Sequence, residues 1–267
     1  MNYVHGYSER EGQRLQDQAS TLADLLHGGV NFAPGERVLE AGCGVGAQTL
    51  ELARRSPAAR FVSIDISAAS LAQAQAATQR AGLGNVEFQR ADLFALPFAP
   101  ASFDAVFLCF VLEHLPDPVA ALRAVATAVR PGGRVVVIEG DHGSTLFHPE
   151  SAFARRAIQA QVDLQAAAGG DANIGRRLYP LLSEAGFADA RVEPRLVYVD
   201  GASPAWADGF TRKTYTAMIA GVRERALSAG LMSEEDFDRG VADLARCAER
   251  DGVFGYTFFR GEARTVR

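Results

Sequence analysis

Between Arg37 and Glu139 the chain alternates short, apolar, β-branched runs with longer amphipathic stretches. The runs are Arg37–Ala41, Arg60–Asp65, Val86–Gln89, Phe103–Phe110 and Arg134–Glu139, each of strand length and each flanked by turn-forming residues. Between them, Gly46–Arg55, Ala68–Ala81 and Pro118–Val129 space their apolar residues with the period of a helix that buries one face, and Ser67 and Asp117 stand where N-terminal caps belong. Strands alternating with helices predict a parallel sheet, and right-handed crossovers put helices on both of its faces.

Upstream, Arg10–Leu26 reads as helix, stopped by Gly28-Gly29. Beyond Asp141 the alternation loosens: Ser151–Ala168, Gly175–Ala185, Pro204–Ala229 and Glu234–Glu249 read as helices, and Arg195–Asp200 and Phe254–Arg260 as two late strands. The fold class expected is α/β, a doubly wound and mostly parallel seven-stranded sheet with an N-terminal helical lid and helical cap insertions. Residues 1–36 would be the lid and its helices, 37–142 a cofactor-binding core, and 143–267 the cap helices and last two strands of the same domain. Open sheets of this kind bind ligands beyond the carboxyl ends of their strands.

Composition narrows the class of partner. Lys and Arg number 27 against 32 Asp and Glu, a net charge of -5, which argues against nucleic acid as the main partner. Cys43, Cys109 and Cys247 lie far apart and in odd number, so neither a disulfide framework nor a metal site is expected, and a reducing cytoplasm fits. Met1–Arg14 lacks a basic-then-apolar leader pattern, and no apolar run approaches the roughly 18 to 20 residues that span a bilayer, so no membrane partner is expected. No interface element that would set an oligomeric state stands out.

The candidate chemistry begins where the first strand ends, in Glu40-Ala41-Gly42-Cys43-Gly44-Val45-Gly46, and runs straight into a helix. Glycines there permit a sharp turn and close ligand approach, and free amides at a helix start attract electron-rich groups. Gly42, Gly44 and Ala47 also satisfy the dinucleotide fingerprint, so a nicotinamide-dependent oxidoreductase stays open, as does a regulatory protein that binds a nucleoside cofactor without turnover. Asp65, followed by Ile66, ends the second strand, where a carboxylate can accept both ribose hydroxyls of an adenosine. Asp92, after the third strand, can accept from an adenine amino group or serve as a cap or turn residue. Glu40 would repel a pyrophosphate and attract a ligand bearing an ammonium and a sulfonium.

Val38 to Gly46, Asp65 and Ala91-Asp92-Leu93, followed by Val111-Leu112-Glu113-His114-Leu115 and by Leu122 through Pro131-Gly132-Gly133, resemble in order the motifs of class I S-adenosylmethionine-dependent methyltransferases. Tyr3-Val4-His5-Gly6-Tyr7-Ser8 and Glu139 to Ser144 are similar to a bacterial subgroup acting on small molecules. The resemblance implies S-adenosyl-L-methionine as cofactor and a small-molecule methyl acceptor. It also implies a glycine turn (Gly42, Gly44, Gly46) on the methionine part, Asp65 on ribose, Asp92 and Leu93 on adenine, and the backbone of Phe110 on the amino group. In similar enzymes an N-terminal segment folds over the cofactor, which makes Tyr7 and Arg14 candidates for its carboxylate, with a solvated helix position the alternative for Arg14.

Three residues are candidates for proton transfer to or from the acceptor. His114 follows Glu113 just after the fourth strand and either acts as a base or orients its loop. Asp141 and His142 follow the fifth strand and either act on the nucleophile, shape its pocket or cap a loop. The aromatics of the second half, among them Trp206, Phe210 and Tyr215, are core residues, a few of which could wall a substrate pocket.

Overall fold

The computed structural model describes residues 21–266. Seven strands form one sheet in the order β3-β2-β1-β4-β5-β7-β6, where β1 is Arg37–Ala41, β2 Arg60–Asp65, β3 Val86–Arg90, β4 Phe103–Cys109, β5 Val129–His148, β6 Ala188–Asp200 and β7 Val253–Arg264. β1 pairs in parallel with β2 and β4, β2 with β3, and β4 with β5. β7 runs against β5: the Thr265 amide, just past β7, donates to the Gly133 carbonyl and the Gly132 amide to the Thr265 carbonyl, whereas Ser144, further along β5, accepts the amide of the earlier Thr257 on its hydroxyl. The expected class is therefore found, a mostly parallel seven-stranded sheet with helices.

β1 and β4 are buried along nearly their whole length, as central parallel strands covered on both faces must be, while β3 at the edge is largely open. The crossover helices are α1 Ala47–Arg55, α2 Ala68–Arg80 and α3 Pro118–Ala128. Ser67 Oγ accepts the Ser70 amide at 3.2 Å and Asp117 Oδ1 the Ala120 amide at 2.8 Å, so both expected caps form. Residues 21–27 are helical, and Gly29, at φ 81°, ends that segment where the Gly-Gly pair predicted.

The chain divides into two compact units. The first comprises, among the described residues, Ala23–Glu139, Ile174–Pro194 and 259–266. Its core gathers Leu39, Val62, Val106, Leu108, Leu122, Val135 and Val137 from strands and helix, with Leu178 and Leu182 from α5, Leu178–Glu184. The second comprises, among the described residues, 21–22, Gly140–Asn173 and Arg195–Phe258. In it α4, Ala152–Ala167, packs on α6, Glu234–Arg246, so closely that a Cβ on Gly240 would lie 2.6 Å from the Phe153 carbonyl oxygen. Phe210, Tyr215, Phe254, Tyr256 and Phe258 form an aromatic core there, with Tyr215 and Phe254 ring centroids 4.8 Å apart.

Strand boundaries differ from expectation in β3 to β7, by one residue at the ends of β3 and β4, by a few at the ends of β7, and most in β5 and β6. β4 ends at Cys109 because Phe110 adopts φ 58° and leaves the ladder. β5 starts at Val129, with a register shift opposite Phe103 and Ala105, and continues past Glu139 to His148. β6 begins at Ala188, ahead of Pro194, a residue that an edge strand tolerates because one row of its backbone groups makes no ladder bonds.

Candidate functional site

In the first unit, the turn after β1 folds back on the end of β2. The amides of Gly42 and Cys43 donate to the Ile64 carbonyl at 2.8 and 2.9 Å, that of Gly44 to Asp65 Oδ2 at 2.9 Å, and that of Gly46 to the Cys43 carbonyl at 2.9 Å. The amides expected to be free for a ligand are thus committed within the chain at these four positions, and the turn is not the anion nest that a pyrophosphate requires. Gly42, Gly44 and Gly46 all have positive φ. A Cβ on Gly42 would lie 2.6 Å from Val111 Cγ2 and one on Gly46 2.8 Å from Ala74 Cβ, whereas one on Gly44 would meet nothing within 4 Å. Two of the glycines therefore serve packing, and the third presents an open face.

Asp65 sits at that face, half-buried. Besides the Gly44 amide it accepts the Ser67 amide on Oδ1 at 2.8 Å, so each oxygen keeps one lone pair for a further donor. Ile66, next to it, is 51% exposed, and Phe94, in the turn after β3, is 42% exposed. Large apolar side chains left open beside carboxylates suit the flat face of a base. Phe94 escaped the sequence reading; its signal was its position two residues after Asp92. Asp92 itself is exposed, and its Oδ1 accepts the Phe94 amide at 2.9 Å. It shapes the turn while its second oxygen stays available. Leu93 is half-buried between them.

Glu40 is placed differently from a ligand-facing carboxylate. Only 2% exposed, it accepts the hydroxyls of Ser63 at 2.6 Å and Thr49 at 2.7 Å, both on Oε2, and so ties β1 to β2 and α1. Burial pushes its carboxyl up to about 7, the hydroxyl bonds to Ser63 and Thr49 pull it down, and the Asp65 charge pushes it up further. Its negative charge is correspondingly weakened near neutral pH.

The backbone leaving β4 carries the next group. Phe110 donates its amide to the Ile138 carbonyl at 2.9 Å while holding a left-handed φ, a conformation uncommon for a bulky residue and concentrated at functional sites. A short 3-10 turn, Leu112–His114, follows, and His114 Nε2 lies 3.4 Å from Glu113 Oε1. The structure brings Gly42, Gly44, Gly46, Asp65, Ile66, Asp92, Leu93, Phe110 and His114 into the first unit, at or just past the carboxyl ends of β1 to β4. Tyr7 and Arg14 lie outside the described residues.

Asp141 and His142 belong to the second unit, within β5 and not in a loop after it. Both are buried, at 2% and 5% exposure. Thr145 Oγ1 donates to the His142 carbonyl at 2.8 Å and lies 2.9 Å from the Tyr215 hydroxyl, which is 3.5 Å from His142 Nδ1. With the Thr145 proton given to the His142 carbonyl, the Tyr215 hydroxyl donates to Thr145, and its oxygen can accept from His142 Nδ1 in the tautomer that carries a proton there. Burial holds the Tyr215 phenol above its ordinary range, as does the Asp141 charge to a smaller extent. Tyr215 stands on a stretch, Ala207–Thr216, wound as a π-helix, a rare form that tends to mark functional positions.

The methyltransferase domain family matches residues 39–137. The chain is 33% identical over 232 residues to an uncharacterized 37.1 kDa protein of transposon TN4556 from Streptomyces fradiae, covering 86% of this chain and 63% of that one. It is 33% identical over 137 residues to the 27-O-demethylrifamycin SV methyltransferase of Amycolatopsis mediterranei, covering 51% of this chain and 50% of the relative. It thus spans about half to two thirds of the length of these relatives. Among solved structures, the phosphoethanolamine N-methyltransferase 2 of Haemonchus contortus, in complex with S-adenosylhomocysteine, superposes with a TM-score of 0.62 at 17% identity, over 100% of this chain and 61% of that one. Taken with the strand order and the turn after β1, these matches place residues 39–137 in the methyltransferase domain family, on a fold shared with solved methyltransferases.

Proposed function

We propose that this protein binds S-adenosyl-L-methionine and transfers its methyl group to N, O or C of a small molecule. The observation that carries the reading is the glycine turn whose one open face, at Gly44, adjoins a half-buried carboxylate, Asp65, with lone pairs to spare. A nicotinamide cofactor fits less well: the turn amides are committed, and β7 inserts between β5 and β6, unlike the 3-2-1-4-5-6 order of the dinucleotide-binding fold.

Asp65 accepts the ribose hydroxyls, Ile66 and Phe94 cover the base, Asp92 and the backbone of Leu93 meet its edge, and the backbone of Phe110 receives the amino group. Tyr7 and Arg14 are proposed for the carboxylate. When bound, S-adenosylmethionine supplies an electrophilic methyl carbon whose leaving group is a neutral thioether. The protein's share is then alignment of the acceptor and exclusion of water, with proximity and electrostatics as the main contributions. A base is needed for a hydroxyl or an acidic carbon more than for an amine; His142, beside Tyr215, is proposed for it, with Asp141 and His114 as the other candidates. Small-molecule acceptors are supported by the name of the rifamycin-type relative.

Calorimetry with S-adenosylmethionine, S-adenosylhomocysteine and NAD tests the cofactor, and transfer of a labelled methyl group to a metabolite pool tests turnover. Binding of both sulfur ligands with no NAD binding is expected. NAD binding without either sulfur ligand would overturn the reading, and cofactor binding without any transfer would leave a regulatory binder.

A further inference from the structure

We propose that Glu139 is a positioning residue that holds the backbone leaving β4 against the glycine turn, and so shapes the place that receives the amino-acid end of the cofactor; this rests on the function proposed above. Glu139 is fully buried in β5, and its Oε1 accepts two consecutive amides, Val111 at 3.0 Å and Leu112 at 2.7 Å. Those amides would otherwise face the interior unsatisfied, because the ladder between β4 and β5 stops one step earlier. Its last pair is Cys109 with Ile138, and Phe110, at φ 58°, still donates to Ile138 but turns the chain away. The Glu139 side chain thus takes over where the strand's own backbone acceptors end.

The residue held this way reaches the glycine turn directly, since Val111 Cγ2 occupies the space a Cβ on Gly42 would need, 2.6 Å away. Val111 is fixed through its amide by Glu139 and through its side chain by Gly42. The left-handed Phe110 between Ile138 and Val111 persists because both of its neighbours are pinned. Burial raises the Glu139 carboxyl well above the usual range, the Glu113 carboxylate raises it further, and the amides of Leu112, Val111 and Glu113 pull the other way. Oε2 is buried with no hydrogen-bond partner. A neutral carboxyl accepts at one oxygen and carries its proton on the other, the same pattern of acceptor and donor that a carboxamide offers.

That equivalence sets the test. Glu139→Gln keeps an acceptor at the Oε1 position, Glu139→Asp keeps the acid but withdraws it by one methylene, and Glu139→Ala removes it. Calorimetry on the full chain compares S-adenosylhomocysteine with 5′-methylthioadenosine, which has the nucleoside and thioether but no amino acid. The Asp and Ala variants are expected to lose about tenfold or more in affinity for S-adenosylhomocysteine and to bind methylthioadenosine within about twofold of wild type, while the Gln variant stays near wild type on both. Equal losses on the two ligands would reduce Glu139 to general scaffold and overturn the proposal. So would an Asp variant with full affinity, or a Gln variant as weak as the Asp variant. Should Glu139→Ala not fold, the Asp and Gln variants carry the comparison. Wild-type protein that binds neither ligand would instead remove the cofactor reading itself.

Discussion

Alanine at Gly44 and alanine at Gly46 are nearly the same change in sequence and should have opposite consequences. Both glycines hold positive φ, 52° and 80°, so each alanine bears the left-handed penalty of about 1 to 2 kcal/mol, offset in part by the reduced freedom of the unfolded chain. At Gly44 the added methyl meets nothing within 4 Å, and the net loss of stability should be about 1 kcal/mol, or roughly 2 to 4 °C in Tm. At Gly46 the methyl would stand 2.8 Å from Ala74 Cβ and 2.9 Å from Ala74 Cα, against an ordinary carbon separation of about 3.5 to 4.0 Å. Neither atom belongs to a side chain that can swing aside, so α1 and α2 must part. Overpacking of that kind costs about 1 to 3 kcal/mol beyond the backbone strain, and a Tm drop of roughly 5 to 15 °C follows.

Ligand binding should reverse the ranking. The Gly44 methyl projects into the face proposed for the methionine part, so affinity for S-adenosylhomocysteine should fall about tenfold or more, near 1.4 kcal/mol for each factor of ten. The Gly46→Ala protein, assayed well below its melting point, should bind closer to wild type. Thermal melts and calorimetry on the two variants measure both quantities. If Gly44→Ala keeps full affinity, or if Gly46→Ala melts no lower than Gly44→Ala, the division of the turn into a packing glycine and an open one is refuted.

Replacing Asp65 with Ala removes the acceptor for the Gly44 and Ser67 amides as well as the proposed ribose bonds. Each charge-assisted bond contributes about 1.5 to 3 kcal/mol, so both melting temperature and cofactor affinity should fall, and an unchanged dissociation constant in a folded mutant would show the assignment to be mistaken. Glu40 has a folded value of about 7 against an ordinary 4.5; the native state holds its proton more tightly, so its contribution to stability should be full below about pH 4.5 and be lost as pH rises through 7, by roughly 3 kcal/mol. Melts across that range on wild type and Glu40→Gln should differ by this slope, and parallel profiles would refute it. His142→Ala should lower turnover by about a hundredfold with cofactor affinity intact if His142 handles the acceptor's proton; steady-state rates against calorimetry decide it, and unaltered turnover would remove His142 from the mechanism.

Much of the first unit could be read from sequence because local physics decides it. β1 and β2 lie at the expected residues, Ser67 and Asp117 cap the expected helices, and the Gly42 to Gly46 turn opens α1. Strand period, helix period, caps and glycine turns each depend on a few neighbouring residues. Tertiary structure decided where those signals run out. Whether β5 stops at Glu139 or continues through Asp141 and His142 depends on Thr257, more than a hundred residues away, whose amide meets Ser144. That Glu40 is a buried tie and not a ligand-facing charge depends on the hydroxyls of Thr49 and Ser63 from two other elements. The same holds for Glu139, whose place in an apolar run showed a strand end but not the amides of Val111 and Leu112 waiting for it across the sheet. Burial, and with it the charge and partner of an acidic side chain, is set by residues distant in sequence, so position along the chain alone could mark these carboxyl groups but not assign their roles.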